Sequence, residues 1–319
     1  MITIYKTSPE GLTKKIFAPE PGCWVSVTAP NEGQRAWLKT KSGIVPEFVA
    51  SALDDEESSH IDYDDDTHQT LVIVDCPSVE DERETEDPTL KQYTTHPISV
   101  IFVPEKNMIV TVSLQENEVL KMMAAGKVRG LDTRLHTRFL LQLLLAVSQQ
   151  YLLYLRDIKR QYNKTEHQLR ATLRNDELIK MLGLEKSLVY FSTSLKADEN
   201  TLAKINAGRT IKLYEDDKDL LDDVIIEIHQ AIEMSQIYTN IMNGTMEAFG
   251  SVISNNLSLV MRTLTIITLV LAVPTIVFSF YGMNVDLPLA GLTWLFPFAL
   301  ALVVSIVIMT FFQHKKLFK

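Results

Sequence analysis

Cysteine is almost absent from the 319 residues: there are two, Cys23 and Cys76, far apart and without a CxxC neighbour. They carry no visible redox or zinc chemistry and suit a reducing, cytosolic compartment. The chain also lacks a Walker phosphate loop, a dinucleotide-binding glycine pattern and the aspartyl-phosphate motif of a transport ATPase, which argues against coupled ATP hydrolysis and enzymatic work of that kind. No signal peptide is expected either. Met1-Ile-Thr-Ile-Tyr-Lys6 alternates like a strand and has no basic region before an apolar core, so the N-terminal part should stay in the cytosol. The seven histidines are scattered, and His60 and His68 read as surface residues rather than ligands. Asp62-Tyr-Asp64-Asp-Asp66 begins like an EF-hand loop. Its sixth position is Thr67 instead of glycine and its twelfth is Ile73 instead of glutamate, so that reading is rejected.

Positive charge is scarce where negative charge is dense. Residues 1–130 carry 22 acidic and 12 basic side chains, whereas residues 131–319 carry 18 and 19. Between Asp54 and Asp87 fifteen carboxylates stand with one basic residue, Arg83. Such a surface repels nucleic acid and attracts cations. For the run as a whole, an acidic solvated face is the plainer reading.

Charge of either sign is missing from Thr263–Val285, bracketed by Arg262 and Asp286, and from Leu287–Gln313. Each run can supply the roughly 20 apolar residues of a bilayer-crossing helix. Arg262 precedes the first, Lys315, Lys316 and Lys319 follow the second, and the link has no Lys or Arg. The positive-inside rule therefore puts both ends in the cytoplasm and the link outside. Tyr281 and Trp294 stand where interfacial aromatics are expected. Pro274 frees a carbonyl that a threonine or a neighbouring helix can satisfy.

In the first run, Ser258, Met261, Thr265, Thr268, Ala272, Thr275 and Ser279 recur at alternating spacings of three and four, one face of a helix. Small and hydroxylated residues on one face suit a helix-packing seam or a water-lined pore wall, and the pattern alone does not choose. The second run has no such stripe and reads as lipid-facing. Two helices, each about 10 Å across, cannot enclose a pore, so a channel would be a cyclic oligomer with first spans inside.

Before the spans, residues 1–130 read as an acidic α/β domain. Strands are expected at Trp24–Thr28, Thr70–Val74, Ile98–Val103 and Met108–Val112, the last two joined by a hairpin at Pro104–Asn107, with helices at Pro30–Lys39 and Pro46–Ala52. Long helices follow at Arg138–Arg174, Asp176–Ile205 and from near Glu215 into the first span, with Gly244 and Gly250 as weak points. The fold class is an α+β cytosolic domain (1–130), a helical stalk (131–262) and a two-helix transmembrane hairpin. The hairpin divides into a first span (263–283), an outer loop (284–293), a second span (294–312) and a basic tail (313–319).

Tyr281-Gly-Met-Asn284 closes the first span. Its last three residues, Gly282-Met-Asn284, after the first of two C-terminal spans and before a short charge-poor loop, resemble the signature of the CorA family of magnesium channels. The likeness runs upstream through Ser254-Asn255 and Val260–Ile267, and includes the tail His314-Lys-Lys-Leu-Phe318. Family members often have glycine at the place of Ser279, a large apolar residue at Ala272 and proline one residue before Pro274; their outer loop is often Glu-rich, where this chain has Val285-Asp-Leu-Pro288.

The resemblance implies a funnel-like homopentamer in the plasma membrane, with Gly282, Met283 and Asn284 as selectivity filter. A ring of neutral Asn284 amides would hold hydrated Mg2+ through its waters. Met261, Leu264, Thr268, Ala272, Thr275 and Ser279 would line the pore, beside Ser258 and Thr265 of the stripe, and Met261 and Leu264 would form a constriction that closes by dewetting. It also implies a regulatory divalent ion between subunits, placed by alignment on Asp81 and Asp223, with Glu80 as rival for the first. Function would then be passive, potential-driven Mg2+ conduction with cobalt or nickel as further cargo, and no organic cofactor. The competing readings are a zinc or other divalent-metal transporter of the same superfamily and a membrane-anchored coiled-coil scaffold or sensor without flux.

Overall fold

The computed structural model describes residues 1–80, 90–172, 175–283 and 295–314, with backbone alone at 312 and 313. It divides into two compact units, Met1–Gly244 and Thr245–Lys319.

The first unit is organised by a seven-stranded sheet. Its strands are β1 (Ile2–Thr7), β2 (Thr13–Ile16), β3 (Cys23–Thr28), β4 (His60–Tyr63), β5 (Thr70–Val79), β6 (Tyr93–Val103) and β7 (Met108–Ser113), in the order β2-β1-β3-β7-β6-β5-β4. Only the central β3–β7 pair is parallel; the other neighbours are antiparallel. Leu71–Val74 of β5, Ile98–Val103 of β6 and Ile109–Val112 of β7 are nearly continuous apolar and β-branched runs because both faces of the sheet are covered. The expected hairpin forms between β6 and β7, with Pro104–Lys106 as a 3-10 turn closed by Asn107 at φ 44°.

One face receives α1 (Glu32–Thr40) and α2 (Pro46–Ala52). Leu38, Phe48 and Val49 join Val25, Val27, Leu71, Ile73, Ile101 and Val110 in a single apolar cluster. Asn31 and Gln34 form a reciprocal capping box at the start of α1, and Pro46 opens α2 with its φ already helical. The opposite face is covered by helices that follow the sheet in sequence: α3 (Glu118–Ala124), α4 (His136–Thr172) and α5 (Asn175–Asn206). Trp24 of β3 packs on Phe139 of α4 at 5.2 Å between ring centroids, and Tyr93 of β6 meets Tyr154 of α4 at 4.7 Å and Phe191 of α5 at 6.0 Å.

A short turn at Glu215–Asp217 leads into α6 (Lys218–Tyr281), a helix of 64 residues, about 96 Å at 1.5 Å per residue. Its entry is fixed by Arg138 of α4, whose Nε donates to the buried Asp217 carboxylate at 2.8 Å. Within the first unit α6 leans on α5: Leu221, Val224, Ile228 and Ala231 are buried, and Ser235 Oγ donates to the Leu188 carbonyl at 3.3 Å. Gly244 and Gly250 do not interrupt the helix; a Cβ at either would meet only open space. The second unit contains the remainder of α6 and α7 (Leu295–His314). The short strands β2 and β4 and the helix α3 are additions to the elements expected from the sequence.

Trp24 and Thr111 supply a test of the core. The indole N–H donates to Thr111 Oγ1 at 2.8 Å, and both residues are fully buried. Thr111→Val keeps the shape but strands that donor, and is expected to cost about 1–3 kcal/mol, with Thr111→Ser costing less. Urea unfolding of the full chain followed by tryptophan fluorescence reads the difference as a lower midpoint at unchanged slope.

Candidate functional site

Apolar side chains along the second part of α6 have almost no protein around them. The helix is long and apolar enough to cross a membrane, and only 6% of its most apolar window is buried; α7 contains a shorter apolar stretch, Leu295–Phe311. Leu257, Val260, Leu269, Leu271, Ile276 and Phe278 all lie exposed on α6, as do Leu302, Val303, Ile306 and Val307 on α7. Surfaces this continuous and this apolar mark a lipid or protein partner.

Within the second unit, the covered face of α6 is narrow. Ile266 is buried, and Val270, Val273, Val277 and Tyr281, at spacings of three and four, are half-buried. On α7 the corresponding positions are Ala301, buried, with Val304, Ser305 and Ile308 half-buried. The rings of Tyr281 and Phe296 meet at 6.0 Å. α7 is the only other element described in this unit, so it is what covers that face.

The hydroxylated stripe lies elsewhere. Ser258, Met261, Leu264, Thr265, Thr268, Thr275 and Ser279 are exposed and Ala272 is half-buried. At 100° per residue the stripe is centred on the order of 150° around α6 from the face that α7 covers. A seam between the two helices of one chain is therefore not what these residues form. Their hydroxyls are bonded inward: Ser258 to the Ser254 carbonyl at 3.0 Å, Thr265 to Met261 at 2.8 Å, Thr268 to Leu264 at 2.9 Å and Thr275 to Leu271 at 3.2 Å. With the proton spent on the backbone, each oxygen retains acceptor capacity, the polarity that a hydrated cation prefers. Pro274 deprives the Val270 carbonyl of its usual donor. Thr275 bonds Leu271 instead, so its hydroxyl does not give the relief expected for that carbonyl.

Gly282 ends α6. Its N–H donates to the Phe278 carbonyl at 2.9 Å and Met283 N–H to Phe280 at 3.4 Å. A Cβ on residue 282 would sit 3.0 Å from the Phe278 oxygen, so the turn closes this tightly because the residue is glycine. Met283 is exposed, and Asn284 lies outside the described residues.

Of the three carboxylates assigned to a regulatory ion, Asp81 also lies outside the described residues. Glu80 follows β5 and is held by Lys186 of α5, Nζ to Oε1 at 3.2 Å, while its Oε2 is buried without a hydrogen-bond partner. Asp223 is exposed on α6. Among the described residues no group of three or more His, Cys, Asp or Glu gathers as a metal site within one chain.

This architecture recurs in known transport proteins. Residues 20–316 match the family model described as "CorA-like Mg2+ transporter protein". The cobalt/magnesium transport protein CorA of Methanocaldococcus jannaschii is 25% identical over 289 residues, spanning 89% of this chain and 87% of that protein. The complete structure of the CorA magnesium transporter from the same organism superposes with a TM-score of 0.78 at 23% identity, covering 98% of this chain and 96% of the other. The cytoplasmic domain of ZntB from Vibrio parahaemolyticus shares the fold at a TM-score of 0.57 and 13% identity over 80% of this chain and 97% of its own. The family model and the curated relative place the chain in a class of membrane transport proteins rather than enzymes. The chain belongs to the CorA-like Mg2+ transporter family.

The tight turn at Gly282 gives a direct check. Gly282→Ala pushes a methyl against the Phe278 carbonyl and should displace the residues that follow. Magnesium uptake by vesicles containing the purified variant is expected to fall several-fold, whereas Met283→Leu, at an exposed position, should fall less.

Proposed function

We propose that this chain is a passive, potential-driven magnesium channel that works as a cyclic homopentamer in the plasma membrane. Residues 263–283 and 294–312 would be its spans, 284–293 the outer loop and both termini cytoplasmic. The observation that carries the proposal is the position of the stripe. Its hydroxyl oxygens face away from α7, the only other helix among the described residues of the second unit. In a membrane that face needs water or a further copy of α6, and a ring of copies around a water-filled path supplies both.

In this arrangement Thr265, Thr268, Thr275 and Ser279 present oxygens to a hydrated ion passing along the axis. Met261 and Leu264, both exposed in a single chain, form the apolar constriction below them. Asn284 makes the outer ring, whose neutral amides bind the water shell of Mg2+ loosely enough for it to leave. A divalent ion gains about 4.6 kcal/mol on entry at 100 mV, twice the value for a single charge, so no chemical fuel is needed. Cobalt and nickel are the further cargo, by size and charge.

Control by intracellular magnesium is assigned to Asp223 with Asp81 of a neighbouring copy. An exposed carboxylate is the hard oxygen ligand that Mg2+ accepts. Glu80 is the weaker candidate, because Lys186 already neutralises it. A bound ion would relieve repulsion between subunits and hold them closed; its loss would free them.

Flux of magnesium, cobalt, nickel and zinc into liposomes under an imposed potential tests the reading as a whole. Potential-dependent Mg2+ entry is expected; zinc preference or absence of flux would favour the divalent-metal relative or the scaffold. Asn284→Ala should abolish Mg2+ entry with assembly intact. Cysteines at Thr268, Thr275 and Ser279 should react with water-borne thiol reagents and block conduction, while those at Ile266 and Val270, on the face under α7, stay protected. Equal labelling of both sets would return the stripe to a packing role. Neutralising both Asp81 and Asp223 with asparagine should leave conduction open at magnesium concentrations that close the unaltered protein, with unchanged ion preference.

A further inference from the structure

Two carboxylates outside the ion path meet where α5 lies on β5. Asp198 of α5 is 2% exposed, and its Oδ1 accepts the backbone N–H of Asp75 at 2.9 Å. The Asp75 carboxyl is bonded by Ser194, one turn earlier on α5, and Ser194 Oγ lies 2.8 Å from Thr95 Oγ1 of β6. Asp198 is also bonded to Ser59. The Ser59 hydroxyl in turn faces the Ile73 carbonyl and Thr201 Oγ1, each at 2.9 Å. With one proton to share among Ile73, Thr201 and Asp198, Ser59 gives the Asp198 carboxylate only partial relief of its burial. Tyr151 of α4 offers no substitute, because its hydroxyl donates to the Asp75 backbone carbonyl at 3.0 Å.

The groups acting on the two carboxylates are each other, the serine hydroxyls and a backbone amide; none is a cation. The titratable neighbours are Tyr151 on α4, Cys76 beside Asp75 on β5, and His96 opposite Cys76 on β6. Farther out are His60, near Glu57 at 3.7 Å at the β4 edge, and His229 of α6, paired with Glu199 of α5 at 3.1 Å.

We propose that Asp75 and Asp198 form a proton-operated latch between β5 and α5. With protons in place the pair holds the helix to the sheet. As they leave, a buried negative charge without a counter-ion loosens α5 and the part of α6 that leans on it through Ser235 and His229. Burial, and then the Asp75 carboxylate, drive Asp198 well above the usual carboxylate range. Burial pushes Asp75 up to about 6, against the Ser194 hydrogen bond that pulls it down. An unfolded aspartate titrates near ~3.9, so above that pH the latched state holds more protons than the opened one, and attachment weakens as pH rises. Between about 4 and 6 each carboxyl makes the opening equilibrium grow roughly tenfold per pH unit, about a hundredfold together, and Asp198 alone extends the trend upward.

The latch does not depend on the chain conducting ions, and its test reads no flux. Hydrogen exchange on the full-length protein in detergent, corrected for the intrinsic pH dependence of exchange, should show protection of 188–205 falling by up to about a hundredfold per pH unit from pH ~4.5 to ~6. Asp75→Asn and Asp198→Asn should each cut that slope to about tenfold per pH unit, and His60→Gln, His96→Gln and His229→Gln should leave it unchanged. Infrared spectra of the unaltered protein at pH 7 should contain a carboxylic-acid carbonyl band that shifts in D2O and is lost in Asp198→Asn. If that variant does not fold, Asp75→Asn and the unaltered protein's own band still decide. Unaltered pH dependence in the aspartate variants, its loss in a histidine variant, or absence of the band at pH 7 would each overturn the proposal.

Discussion

Hydrocarbon offers a peptide group no hydrogen bond, and this constraint shapes the second unit. Every amide in the apolar part of α6 must be satisfied by its own helix or by a close neighbour. The serine and threonine hydroxyls of the stripe bind back to carbonyls one turn earlier, which makes them tolerable in a helix without charged partners. The same bonding orients what remains of each oxygen outward. Polarity on one face and aliphatic surface on the others then follow from a single local geometry.

Much of this was legible in the sequence, where one periodicity held over many residues. β5, β6 and β7, the long helices and the stripe itself all come from repeats sustained over several turns or strand positions. The ambiguous point was what the stripe faces, and it could not be resolved by pattern. Ile266, Val270, Val273 and Val277, which lie under α7, are aliphatic like the residues that face outward, so composition has no contrast between the two sides. β2 and β4 have four residues each at the sheet edges, and β2 has the mixed sequence Thr-Lys-Lys-Ile; strands so short lack a period to read. Asp198 did leave a signal, a carboxylate between Leu195 and Leu202 on the buried face of α5. Its partner, five residues before Glu80 in a different element, is supplied only by the fold.

Cation chemistry recurs in the molecule with opposite solutions to the cost of buried charge. Arg138 and Asp217 join α4 to the entrance of α6 as an ion pair, with the carboxylate buried and the guanidinium reaching solvent. Glu80 is neutralised by Lys186. Asp75 and Asp198 have no cation among the groups acting on them, and the proton takes that place. Breaking a pair by removing one partner leaves a buried charge and costs far more than the pair itself contributes, so each of these joints is sensitive to single substitutions.

The parallel pairing at the centre of the sheet also sets an order in time. β3 joins the bulk of the sheet only through β7, and Cys23 faces Met108 across that ladder, 85 residues later in the chain. β1 and β2 hang from β3 on the outer side. At about 5–20 residues per second of synthesis, the first three strands must wait roughly 4–17 s after β3 emerges before the strand that anchors them exists. Meanwhile they can form no more than a small meander with open edges. A nascent chain of this protein therefore spends its first seconds presenting Trp24 without the cover that Phe139 of α4 supplies, and it is in that interval, rather than in the finished fold, that a holding chaperone would have most to protect.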